Sequence, residues 1–135
     1  MKRTNISSGA PWEEIVGYSR AVRCGASVFV TGTIGLGTDG TVVATGATGD
    51  MYAQAKRSLE IISEALQKAG ATMNDVVRTR MFVTDISRWE EVAKAHGEVF
   101  AAIKPATTLV EVSRLIDDEA LVEIEVDAVV DSGRS

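Results

Sequence analysis

The chain has 135 residues, of which 45% are apolar and 24% are charged, and its formal net charge at pH 7 is −5. This composition excludes a disordered chain, and the length predicts a single globular domain, residues 1–135, built around one core. No stretch approaches the roughly 18 apolar residues of a membrane span, and the N-terminal residues lack the core of a signal peptide, so we expect a soluble cytoplasmic protein. The acidic excess opposes binding to nucleic acid.

The first third of the chain is typical of β-strands. Residues Ala21–Thr33 predict one or two strands broken at Gly25, and Thr41–Ala44 predict another. The single cysteine, Cys24, excludes an internal disulfide and every metal site built from several cysteines. Since no basic partner for a thiolate is identifiable, we interpret it as a small, half-buried residue near a strand end.

Between these strands lies the segment Gly35–Gly40, GLGTDG, which matches the dinucleotide-binding pattern G-x-G-x-x-G. That pattern binds a pyrophosphate when its third glycine opens a helix inside a βαβ unit. Here the β-branched run Thr41–Val43 follows instead. We therefore predict a hairpin whose arms are residues 28–33 and 41–44, with Asp39-Gly40 at its turn.

Two amphipathic helices follow. The first is capped by Asp50 and ended by Gly70, and its apolar residues recur at steps of three and four: Met51, Ala55, Leu59, Ile62, Leu66 and Ala69. For the second, the S-x-x-E spacing of Ser87–Glu90 predicts a capping box. Its apolar stripe, which must end before Pro105, consists of Trp89, Val92, His96, Val99, Phe100 and Ile103. We interpret His96 as a core or interface histidine rather than a general base.

Three further strands are predicted at Val76–Thr84, Thr107–Ser113 and Leu121–Val130. In the last of these, Val122, Ile124, Val126, Ala128 and Val130 share the face that should receive the helices. The opposite face carries acids and, from the neighbouring strand, arginines: Glu123, Glu125, Asp127, Arg78 and Arg80. Two interpretations stay open for this charged face, namely a solvated surface with ion pairs and the interior of an oligomer that frames a pocket.

Five segments, in this order and spacing, resemble the Rid family, also called the YjgF or reactive intermediate deaminase family. They are Tyr18–Val22, Val30–Gly32, Val77–Asp85, Pro105–Val112 and Val122–Glu125. The resemblance implies an α+β, chorismate-mutase-like domain: a mixed β-sheet with two helices packed on one face. It also implies a homotrimer with the sheets facing inward and small-molecule pockets at the subunit interfaces. Rid deaminases hydrolyse reactive imines or enamines to carbonyl compounds and ammonia without a metal or cofactor.

Carried over position by position, the resemblance makes Glu123 the catalytic, water-positioning acid. It places Tyr18, Thr31 and the adjacent Gly32 in the substrate pocket. The family's carboxylate-binding arginine is absent, because the motif here reads Pro105-Ala106-Thr107-Thr108. Threonine offers one hydroxyl and no charge, so the forked contact with a carboxylate is lost.

Three functions are compatible with this pattern. In the first, the protein is a diverged deaminase whose substrate lacks a carboxylate at that end, or whose carboxylate is bound by Arg20 or Arg80, with Thr107 and Thr108 lining the pocket. In the second, it is a trimer that binds a metabolite without chemistry. In the third, it has the endoribonuclease activity known within the family, which the net negative charge disfavours.

Overall fold

The computed structural model describes residues 2–47 and 49–131. Over these residues the chain forms one mixed sheet in the order β1-β2-β3-β6-β4-β5, in which only β4 and β5 run parallel. The strands are β1 Arg3–Ile6, β2 Ala21–Cys24, β3 Ser27–Thr33, β4 Val76–Val83, β5 Ala106–Glu111 and β6 Val122–Val129. The longer helices are α1 Met51–Lys68 and α2 Trp89–Phe100, and short helical turns cover Glu13–Gly17, Met73–Asp75 and Ile86–Arg88.

The predicted alternation of β6 is confirmed. Val122, Ile124 and Val126 are fully buried in a core that also contains the apolar stripe of α1 and, from α2, Val92 and Phe100. Trp89, predicted to belong to the α2 stripe, is instead 50% exposed, because it lies in the first turn of the helix. Both helices therefore lie on the same face of the sheet. None of the described helices is long and apolar enough to cross a membrane.

Helix α1 begins and ends as its sequence predicts. The side chain of Asp50 accepts a hydrogen bond from the backbone amide of Ala53, and Gly70 has a φ of 81° just beyond the last turn. Within the helix, the fully buried Gln54 holds the loop before β6: its Nε2 donates to the carbonyl of Glu119, and its Oε1 accepts from the amide of Leu121.

The predicted hairpin between residues 28–33 and 41–44 is wrong. Strand β3 pairs with β2 on one side and with β6 on the other, so neither of its edges is left for residues 41–44. Those residues form a loop with a single bridge, between Leu36 and Val42. The tight turn is present, since the amide of Gly37 donates to the carbonyl of Thr41 and Gly40 has a φ of 82°. No helix opens there, so the dinucleotide-binding arrangement is absent.

Gly35 has a packing role in this loop. A β-carbon at residue 35 would lie 2.5 Å from the backbone oxygen of Gln54, so the loop approaches helix α1 more closely than any side chain allows. Strand β1, which pairs with β2, was not predicted, because its first three residues are polar and exposed and only Ile6 is apolar, so no alternation is visible.

Two boundaries of α2 also differ from the prediction. Ser87 does not act as a capping residue: Asp85 accepts hydrogen bonds from the amide and the hydroxyl of Ser87, and this bonding begins the short turn that leads into the helix. The helix ends at Phe100 rather than Ile103, because the chain turns at Lys104, where the amide donates to the carbonyl of Phe100 and φ is 54°.

The uncovered face of the sheet carries the predicted charges. Arg80 Nη1 lies 3.2 Å from Glu125 Oε1 and 3.4 Å from Asp127 Oδ2, on neighbouring strands. All three side chains are about one third exposed. Among the described residues no helix packs over this face.

Candidate functional site

A cleft of about 300 Å³ opens at the edge of the sheet where β3 ends and β6 begins, beside helix α1. Its wall combines the segment at residues 8–12, the end of β3, the loop at residues 34–40 and two turns of α1. Four of the predicted site residues line it: Tyr18, Arg20, Gly32 and Glu123.

Glu123 and Gly32 lie in direct contact in this cleft. A β-carbon built on Gly32 would lie 2.7 Å from Glu123 Oε2, so the absence of a side chain on β3 makes room for the carboxyl group from β6. The pairing of β3 with β6 is irregular between Val30 and Thr33, which is where Gly32 sits. The Glu123 carboxyl makes no hydrogen bond or ion pair with any residue that the structure describes.

The environment of Glu123 favours its protonated form. Burial raises the pKa of its carboxyl above the usual 4.5, the charge of Glu125 raises it further, and the charge of Arg20 opposes both effects. A carboxyl group with a raised pKa, without a bonding partner and open to a cleft, is suited to exchange protons with a bound molecule.

Arg20 is buried in the wall of the cleft, where one backbone carbonyl and two side-chain hydroxyls hold its guanidinium group. Its Nη1 donates to the carbonyl of Gly32 and to Thr33 Oγ1, and its Nε donates to Ser8 Oγ. The same Nε lies 3.6 Å from Glu13 Oε2, and both side chains of this ion pair are only 6% exposed. Over the described chain Arg20 Nη2 donates no hydrogen bond, so one guanidinium nitrogen stays available to a ligand.

Glu13 organises the wall, although no pattern in the sequence singles it out. Its carboxylate accepts hydrogen bonds from Ser7 Oγ, from the amide of Ser8 and from Ser8 Oγ. Burial alone would raise the pKa of Glu13, but the hydrogen bonds from Ser8 and Ser7, with the charge of Arg20, hold it below its usual 4.5. No sequence signal indicated this role, because the pairing joins Glu13 to residues in two separate segments.

Thr31 and Arg80 line a second, more open depression on the charged sheet face, and Tyr18 borders both this depression and the cleft. The Tyr18 ring centroid lies 5.6 Å from Cζ of Arg20. Because Arg80 is already paired with two carboxylates, its charge is largely neutralised. Of the two arginines that the sequence analysis considered for a carboxylate, only Arg20 lines the cleft, where Arg57 of α1 also lies.

The comparisons with known proteins agree with this architecture. The family model described as Endoribonuclease L-PSP matches residues 9–130. The chain is 50% identical to Rv2704 of Mycobacterium tuberculosis, a member of the YjgF/YER057c/UK114 family, with a TM-score of 0.85 over 96% of this chain and 100% of that one. The chain belongs to the Rid family.

Two further relatives support the same assignment. The Rid protein YyfA of Yersinia pestis is 32% identical, with a TM-score of 0.83 over 96% of this chain and 100% of that one. An uncharacterized protein of Streptomyces coelicolor is 37% identical over 91% of this chain and 89% of its own length. The sheet with two helices on one face is thus the expected chorismate-mutase-like α+β fold of the Rid family.

In this Rid protein, Thr107 and Thr108 lie apart from the cleft, on the edge strand β5. Thr107 pairs in register with the buried Thr79, and their hydroxyl oxygens are 2.9 Å apart. Thr107 therefore shares the helix-side face of the sheet, whereas Glu123 lies on the opposite face. Strand β5 is also two strands from β6, or roughly 10 Å. Within one chain, Thr107 and Glu123 do not form one site.

A hydrogen-bonded chain continues from Thr107 into the core of the Rid domain. Thr79 Oγ1 lies 2.8 Å from His96 Nε2, and the His96 ring packs against Phe100 with 4.6 Å between ring centroids. Burial lowers the pKa of His96 below its usual 6.5. This histidine is bonded inside the domain, in keeping with its prediction as a core residue. Over residues 2–47 and 49–131, no group of three or more histidine, cysteine or acidic side chains is arranged to bind a metal.

Proposed function

We propose that this protein is a cofactor-independent hydrolase of reactive imines or enamines, with Glu123 as its acid–base group. The observation that carries the proposal is the half-buried, unpaired Glu123 carboxyl lying on Gly32 in the cleft. Hydrolysis adds water across a C=N bond and releases a carbonyl compound and ammonia. Glu123 takes a proton from the attacking water and gives it to the imine nitrogen, and it then carries the hydroxyl proton of the addition intermediate to the departing amine as the C–N bond breaks. Both protons of the water end on ammonia, and Glu123 returns to its starting state.

Arg20 and Tyr18 orient the substrate in this proposal. The free Nη2 of Arg20 binds a carboxylate in place of the arginine that Thr107 replaces, and the remaining bonds of Arg20 keep it in a fixed position. The Tyr18 ring covers the guanidinium and one wall of the cleft. Imine hydrolysis mainly requires a water molecule positioned against the C=N carbon and stabilisation of the charge that develops, and a pocket of this kind provides both.

A homotrimer with pockets at its subunit interfaces belongs to the same proposal. It is supported by the family resemblance and by the position of Thr107 and Thr108, which can meet Glu123 only if β5 of one chain lies beside the cleft of another. The uncovered, charged sheet face is the surface that would face inward. Light scattering tests this part: a mass near three times 14.3 kDa supports it, and a monomer at micromolar concentration contradicts it.

A metabolite-binding trimer without chemistry is the second candidate, and the replacement of the family arginine by Thr107 is the observation that favours it. The endoribonuclease function has less support. His96 is half-buried and bonded to Thr79, and the net charge of −5 opposes a phosphate backbone.

The decisive experiment is turnover of freshly generated imines. An amino-acid oxidase supplies the imino acid, and keto-acid formation is measured against the spontaneous rate. We expect Glu123→Gln to abolish the acceleration and Glu125→Gln, on the same strand face, to retain it. If Glu125→Gln lowers turnover more than Glu123→Gln does, the catalytic acid is Glu125, two residues along the same strand face. If no imine is accelerated by the wild type, the protein is a binding protein instead.

A further inference from the structure

The cleft has two chemically different ends. At one end lie Glu123, Arg20 and Tyr18, and at the other lie apolar side chains from four separate segments: Trp12, Ile34, Leu36, Ile61 and Ile116. The charged Arg57 and Glu64 of α1 flank Ile61. The two ends are joined along β3, since Gly32 touches Glu123 and Ile34 follows two residues later, roughly 7 Å away in extended chain.

The apolar end of the cleft rests on a small hydrophobic cluster. Ile34, Val42 and Ala120 form a buried cluster separate from the main core, and Trp12, Leu36 and Leu115 pack on it. A satellite cluster of this kind under a loop holds the apolar wall of the cleft in place. At the mouth of the cleft, Ile116 is 61% exposed, and a ligand that filled the apolar end would cover it.

We propose that the substrate carries a bulky apolar side chain, branched aliphatic or aromatic, which lies against Trp12, Leu36, Ile61 and Ile116. This inference rests on the proposed function for the identity of the reacting group. A cleft of about 300 Å³ has the size of the smaller pockets that hold drug-sized ligands, so an imino acid of three or four carbons leaves much of the apolar end wet.

The inference predicts a clear order of substrates. Each methylene removed from water adds about a fourfold factor, from roughly 0.8 kcal/mol, so the leucine-derived imine exceeds the alanine-derived imine in kcat/KM by at least about tenfold. Ile61→Ala lowers this ratio about three- to tenfold, because it shortens the apolar wall. Ile86→Ala, which truncates an isoleucine outside the cleft, leaves the ratio unchanged.

A binding measurement separates this inference from the proposed function. In a Trp89→Phe background, Trp12 is the only tryptophan, and its fluorescence reports ligand at the apolar end. The unreactive probes are pyruvate and 4-methyl-2-oxopentanoate. Tighter binding of the larger keto acid by about tenfold, weakened by Ile61→Ala, supports the inference even if no imine is hydrolysed. Equal binding of both keto acids, or turnover with equal kcat/KM for both imines, overturns it while the deaminase proposal stands.

Discussion

The carboxyl group of Glu123 rests on the backbone of Gly32, with Oε2 only 2.7 Å from the position that a β-carbon on residue 32 would occupy. The carboxyl group of Glu123 on β6 therefore fits into the cleft only because residue 32 of the neighbouring strand β3 is a glycine.

Gly32→Ala should consequently displace Glu123 and leave the fold intact. We expect imine turnover to fall at least about tenfold, since small misplacements of catalytic groups are costly, and the free energy of unfolding to change by less than about 1.5 kcal/mol. Gly97→Ala is the matched control, because a β-carbon there meets nothing within 4 Å and helix α2 gains about 0.5–1 kcal/mol. Full activity in Gly32→Ala would show that the position of Glu123 is unimportant.

Glu123 should reduce stability at neutral pH. Its folded-state pKa lies above the usual 4.5, so the folded protein binds its proton more tightly than the unfolded chain, and stability declines as pH rises from about 4.5 through the raised pKa. We expect Glu123→Gln to be more stable than the wild type by about 0.5–1 kcal/mol at pH 7.5, and this gain to vanish near pH 4.

Urea unfolding at both pH values measures this effect. Glu125→Gln serves as the control, because Glu125 is paired with Arg80 and its loss removes an attraction. A Glu123→Gln variant that is less stable than the wild type at pH 7.5 would contradict the raised pKa.

Gln54 and Ser58 are both fully buried and lie one turn apart on α1, but they differ in their partners. Gln54 holds the loop before β6 through two backbone hydrogen bonds, whereas Ser58 Oγ bonds to none of the residues that the structure describes. Gln54→Leu leaves a buried carbonyl and amide unsatisfied and should cost about 2–4 kcal/mol. Ser58→Ala should be neutral or stabilising by up to about 1 kcal/mol. Chemical denaturation of the pair measures the difference, and equal effects would refute it.

Thr107→Arg should restore a forked donor at the position where the family arginine is missing. In the assembled protein, we expect kcat/KM on the alanine-derived imine to rise about ten- to a hundredfold, which corresponds to about 1.5–3 kcal/mol. Arg20→Lys, which keeps the charge but removes the free Nη2, should lower the wild-type rate. If Thr107→Arg has no effect while Arg20→Lys removes activity, the carboxylate site has moved to Arg20.

The sequence by itself determined the elements whose signals are local. The steps of three and four in α1, its cap at Asp50 and its end at Gly70 require contacts within one turn, and the alternation of β6 places Glu123 opposite Val122 and Ile124 by geometry alone. The family likeness then singled out Tyr18, Thr31 and Glu123, and the missing family arginine pointed to Arg20 or Arg80. The structure brings Tyr18, Glu123 and Arg20 into one cleft, whereas Thr31 and Arg80 line the second depression.

Only the tertiary structure decided which segments meet. Strand β3 takes β2 and β6 as partners and so excludes residues 41–44, and Glu13 reaches Ser7, Ser8 and Arg20 across three segments. The contact of Gly32 with Glu123, the separation of Thr107 from both and the apolar end of the cleft likewise depend on strand order. Which segments pair or pack together depends on competition between different parts of the chain for the same strand edge or surface. The residue pattern within one segment does not indicate which partner that segment will take.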